Sequence, residues 1–121
     1  MTATAWNDTP VALEGDGVEV RVQELGGDMS AGFFRLPKGT DMGPALQGLP
    51  DDLCQCPHWG YVFKGRLKLR TNHGDETYEA GQAFHWPPGH APEALEDCEF
   101  LDFSPSKEFA EVIDHVKSQM G

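Results

Sequence analysis

The feature that most constrains this chain is its punctuation: short segments of mixed polarity are cut by glycine and proline turns at near-regular spacing. Val18 to Leu25 alternates apolar and polar residues, as a half-buried strand does. Gly26-Gly27-Asp28 turns it, and Ala31 to Leu36 reads as a second strand, stopped by Pro37-Lys38-Gly39. Tyr61-Val62-Phe63 and Leu67 to Arg70 read as a hairpin about the turn Lys64-Gly65-Arg66. Further strands are read at residues 76–80, 83–86 and 99–103, with turns at 72–75, Gly81 and 87–89. Many short strands with turns between them predict a sandwich or a barrel. The 14 glycines and 9 prolines suit that class and not a helical bundle.

Two segments depart from the strand pattern. Residues 37–53 form a long loop rich in glycine and proline, a length that often borders a functional site. From Ser104 onward the apolar residues Phe109, Val112, Ile113, Val116 and Met120 follow a helical period. Ser104 is the expected cap, Pro105 the expected first helical residue and Gly121 the stop. The apolar stripe of this helix is expected to pack on the outside of the barrel or on a second subunit. Residues 1–9 are expected to be a loose arm in which Trp6 can pack down.

The 121 residues fit one domain, with a barrel core over about 18–103 and a C-terminal helix over about 105–120. A net charge of −11 repels phosphate backbones and anionic membranes, so no nucleic-acid or membrane partner is expected. The N-terminus lacks the basic and apolar regions of a secretory signal, and no stretch is long enough for a membrane span. A cytoplasmic location is therefore expected, where the three cysteines stay reduced. Cys54 and Cys56 are then candidate metal ligands or plain buried thiols.

The residues that carry chemistry fall in two runs. One is Cys54-Gln55-Cys56-Pro57-His58-Trp59-Gly60-Tyr61-Val62-Phe63-Lys64-Gly65. The other is Gly81-Gln82-Ala83-Phe84-His85-Trp86-Pro87-Pro88-Gly89-His90. His58, His90 and one of the cysteines are the candidate ligands, with Trp59, His85 and Trp86 as candidate lining of a pocket. In an extended strand, residues 54, 56 and 58 point the same way, and 54 and 58 lie roughly 13 Å apart, too far for one ion. Cys56 and His58, roughly 6.6 Å apart, are the adjacent pair if the strand is straight. Cys54 reaches the site if the chain bends at Pro57. Both choices stand at this point.

The two runs resemble the cupin superfamily over about residues 36–103. The family's first motif places a ligand acid and a glycine with six residues between them, and His58 stands at that spacing from Gly65. Its second motif is matched by Gly81, Pro87 and Gly89, but its histidine position holds Pro92, with His90 two residues early. Its His-x-His pair falls on Asp52 and Cys54. The family's three-histidine, one-carboxylate set for iron or manganese is thus replaced, whereas thiolate and imidazole together suit zinc, with iron second. The resemblance implies an all-β, single-domain jelly-roll barrel with a C-terminal α-helix, and it favours the bend that brings in Cys54. It also implies a homodimer that covers an open sheet edge.

Three functions fit these residues. A divalent metal on three protein ligands leaves a position for catalysis on a small organic molecule. The same barrel serves equally as a binding or sensing module with a structural metal. A metal-free site for an apolar ligand among Trp59, Phe84 and Trp86 is the third. Tyr61, Phe63, Phe84, Phe100 and Phe103 are expected in the core, His73 and His115 in solvent. Asp51, Asp52 and Glu93 are the acids near the site, and no spacing singles one out as a base.

Overall fold

The computed structural model describes residues 2–120. Among the described residues, nine strands form two antiparallel sheets. The larger runs β1 (Val11–Gly15), β2 (Val18–Gly26), β3 (Met29–Leu36), β9 (Cys98–Pro105), β4 (His58–Lys64), β7 (Ala83–Trp86) in spatial order. The smaller runs β6 (Gly74–Glu79), β5 (Arg66–Thr71), β8 (His90–Ala94). One apolar core lies between them. Val20, Leu36, Val62 and Phe100 of the large sheet meet Leu67, Leu69, Ala91 and Ala94 of the small one. This is a jelly roll whose two sheets do not close into a continuous barrel.

The expected hairpin at 61–70 is not formed. β4 pairs with β7 and β9, while β5 pairs with β6 and β8. The chain changes sheet at Gly65, which has φ +83°, and a Cβ there would run into the Asp97 carbonyl. A glycine turn between alternating strands signals a reversal, and here it serves a crossing between layers. β1 and β8 were not apparent in the sequence, the second because Pro92 sits inside it.

The helix α1 (Ser106–Met120) starts one residue later than expected, because Ser104 and Pro105, the expected cap and first helical residue, extend β9. Gly121, the expected stop, lies outside the described residues. Its stripe faces inward: Phe109, Ile113 and Val116 are buried in the same core as both sheets. The helix therefore roofs the opening between the layers and does not lie on the outer wall. Gly32 makes room for this, since a Cβ there would sit 2.9 Å from both the Asp102 carboxylate and the Phe109 ring. The long loop includes single 3-10 turns at Pro44–Leu46 and Pro50–Asp52 and buries Leu46 and Leu53. In the arm, Trp6 packs edge-on against Phe33, with the Arg35 guanidinium 3.8 Å above its ring.

Candidate metal centre

β4 alternates strictly. His58, Gly60 and Val62 face inward, and Trp59, Tyr61 and Phe63 face out. His58 is thereby placed beside Trp86, its partner across β7. His90 opens β8 after the Pro87-Pro88-Gly89 turn. Cys54 lies before β4, where its N–H donates to the His90 carbonyl at 2.8 Å and its own carbonyl accepts from Gly89 at 2.7 Å. This isolated bridge pins Cys54 next to His90, and the chain bends before it enters β4.

The consequence is a cluster of three buried side chains. One donor atom each from Cys54, His58 and His90 lies within 4.8 Å of the others. Cys54 Sγ is 3.6 Å from His58 Nε2. Cys56, although buried, is not among the three, and its thiol donates to the Pro57 carbonyl at 3.5 Å. Trp59 and His85, read as pocket lining, stack on each other outside the sheet at 4.9 Å and do not line the cavity. Trp86 does, with its ring 5.6 Å from that of His90. Tyr61, Phe63 and Phe103 are likewise exposed and not core, because they occupy the outward positions of β4 and β9.

Each histidine is held by its other nitrogen. His90 Nδ1 lies 2.8 Å from the Pro87 carbonyl, which can only accept, so Nδ1 carries the hydrogen and Nε2 the lone pair. His58 Nδ1 lies 2.6 Å from Ser104 Oγ and 3.4 Å from Asp102 Oδ2. The Ser104 hydroxyl donates to Asp102 Oδ1 at 3.3 Å, so it accepts from His58 and leaves Nε2 free toward Cys54. Such outer partners fix ring orientation and tautomer in metal sites. Ser104, expected as a helix cap, thus belongs to the site. Asp102 was not singled out, although its signal was in the sequence: a carboxylate between Phe100 and Ser104 on the inward face of an alternating strand.

The electrostatics suit ligands more than acids. Burial, aided by the neighbouring His90, lowers the His58 pKa to about 3. Burial lowers His90 as well, against the Pro87 carbonyl, which raises it. Both rings are therefore neutral at physiological pH. Burial pushes the Cys54 thiol up to about 12, with the Cys56 carbonyl lowering it and Asp102 raising it. Burial also raises Cys56 and, well above the usual range, Asp102. A buried thiol beside two imidazole lone pairs gains a strong reason to ionise if a cation arrives. The donor set fits an ion. Zinc bonds of about 2.3 Å to sulfur and 2.0–2.1 Å to nitrogen in a tetrahedron put S and N about 3.6 Å apart.

The cluster opens into a narrow cavity of about 60 Å³. Its other walls are hydrocarbon and aromatic, including Leu36, Phe100, Phe109, Val112 and Ile113. Phe109 of α1 stands edge-on to His58, 5.6 Å between rings.

No protein-family model and no curated protein matches the sequence. Solved structures do match. An RmlC-like cupin from Shewanella frigidimarina superposes with TM-score 0.63 at 17% identity, over 88% of this chain and 93% of that one. A deletion mutant of Bacillus subtilis oxalate decarboxylase gives 0.64 at 22% identity over 84% of this chain, which spans only 28% of that longer protein. KdgF from Halomonas sp. gives 0.57 at 21% identity, over 82% of this chain and 90% of that one. At such identities the likeness speaks for architecture alone, and with the two facing sheets and the inward histidines it shows that this chain has the fold of a small cupin.

Proposed function

We propose that Cys54, His58 and His90 bind one divalent ion, zinc in preference to iron, and that the chain is a single-domain, metal-dependent cupin acting on a small organic molecule. The observation that carries this reading is the convergence of the three buried donors within 4.8 Å. When bound, zinc supplies Lewis acidity at a position the protein leaves open. Cys56 does not close that position, since its thiol is engaged with the Pro57 carbonyl. Asp102 and Ser104 hold the His58 ring, and Phe109 excludes water from it. The test is metal analysis of the purified chain: one ion per chain is expected, and a chain that has no ion and no affinity for added zinc or iron contradicts the proposal.

A binding or sensing module is the second reading. It is favoured by Asp102, the one carboxyl in the cavity lining, being committed to His58 and Ser104 and not free to act as a base. Turnover assays on the metal-loaded protein separate the two. Oxalate, the substrate named for one structural neighbour, is not carried over, because no lysine or arginine lines this cavity.

The partner we propose is a second copy, docked through the outer face of the large sheet. Across β3, β9, β4 and β7, one row reads Ala31, Phe103, Trp59, His85, and the next Phe33, Leu101, Tyr61, Ala83. Trp59, Tyr61, Phe63 and Phe103 are each 38–52% exposed. At 150–250 Å² per aromatic side chain these four offer on the order of 350 Å², a large patch for a monomer and nearly half of what one side of a standard interface buries. The two rows carry no carboxylate in a chain of net charge −11. A second copy meets like-charge repulsion over most of the surface but not here, and it presents an equally apolar, self-complementary face. A reducing, cytoplasmic location suits the three free buried thiols.

A further inference from the structure

Within the proposed metal site, the cavity itself narrows the class of ligand. We infer that it takes a short molecule with a single donor atom on an apolar body, carrying at most one negative charge, and that it rejects dicarboxylates. This rests on the metal reading for the donor end and on the walls alone for the body.

Three observations support it. First, the polar atoms of the lining gather around His58: Cys54, His90 and Asp102 are its neighbours, and the remaining walls are almost wholly apolar. Trp86 is part of this lining, and its ring packs against both histidines. Second, no lysine or arginine lines the cavity. A divalent ion with one thiolate ligand leaves a single positive charge, which Asp102 can only reduce. A second carboxylate on the ligand would then lie against hydrocarbon with nothing to pair it, a costly burial. Third, the volume of about 60 Å³ is well below the about 150 Å³ cavity that holds benzene, which in proportion leaves room for about two or three heavy atoms beyond the donor group. Val112 of α1 is part of the wall that sets this limit.

The experiment uses the full chain loaded with cobalt(II), whose visible spectrum reports both thiolate ligation and a new ligand. It is titrated with acetate, propionate, butyrate and valerate, and separately with oxalate and succinate. Affinity is expected to rise about fourfold per added methylene until the cavity is filled. Oxalate and succinate are expected to bind at least tenfold more weakly than butyrate. Val112→Ala is expected to move the best chain length one carbon longer. In parallel, the Trp86 indole proton of the metal-free protein is followed by NMR, and n-butanol is expected to shift it saturably while oxalate leaves it unmoved. A dicarboxylate that binds more tightly than butyrate, or no dependence on chain length together with no shift by n-butanol, overturns the inference. Absence of the cobalt–thiolate band removes the metal reading instead, and the n-butanol arm still decides the cavity.

Discussion

The two faces of β4 do opposite things with the same kind of residue. On the inner face His58 is 5% exposed, neutral, and held through Ser104 and Asp102. On the outer face His85, one strand away, lies exposed on Trp59 and shares no cavity. A period of two separates them, so neighbouring residues in sequence belong to different environments. An aromatic residue next to a histidine therefore says nothing about sharing its pocket. In the proposed reading the inner positions hold a buried cation and the outer positions meet a second copy.

The largest expected break comes from the inner face. His58→Ala removes one of three ligands and is expected to weaken metal binding by 100-fold or more, about 3 kcal/mol of the binding free energy, read by competition with a chromophoric chelator. Asp102→Asn keeps the shape but loses the carboxylate that orients His58. Metal affinity is expected to fall 10–100-fold. Metal-free stability at neutral pH is expected to hold or rise, because the raised pKa of the buried acid makes its ionised form a cost there. A stability drop with unchanged affinity would assign Asp102 to packing alone.

The outer face is tested next. Trp59→Lys with Phe103→Lys is expected to raise the dimer dissociation constant at least 30-fold, measured by light scattering against concentration, and to leave the metal content unchanged. A native chain whose mass stays at the monomer value of 13.3 kDa at about 50 micromolar contradicts the proposed partner.

Acid gives a smaller, graded effect. The folded-state pKa of His58 lies below its unfolded value of 6.5, so the unfolded chain takes up the proton first. Stability of the metal-free protein is then lost as pH falls below about 6.5, by up to about 1.4 kcal/mol per pH unit for this group, until about pH 3. Asp102 opposes this in the native chain, because its raised pKa adds stability as pH falls, so the effect is read in Asp102→Asn, where a denaturant midpoint that does not change between pH 7 and pH 5 would contradict a buried neutral His58. The smallest effect on the site belongs to Cys56→Ser, expected to change metal affinity less than twofold, whereas Cys54→Ser is expected to abolish tight binding.

Much of this was legible in the residues. The strand and turn pattern gave the class, and the spacings of His58 to Gly65 and of Gly81 to His90 placed both histidines. The choice between Cys54 and Cys56 was not legible, because it depends on a single antiparallel bridge between Cys54 and His90, residues far apart in sequence. The crossing at Gly65 was hidden for a similar reason, since a sheet change and a hairpin share the same local turn chemistry. Ser104 read as a helix cap because serine before proline suits that role, while register put its hydroxyl against His58. The outer aromatics looked like core because burial follows which face a strand presents, and composition does not reveal the face.

The most direct test is the metal content of three purified proteins after dialysis: the native chain, Cys54→Ser and Cys56→Ser, by elemental mass spectrometry. The account predicts one ion per chain for the native protein and for Cys56→Ser, and none for Cys54→Ser. An ion retained by Cys54→Ser, or none in the native chain even after zinc is added, contradicts it.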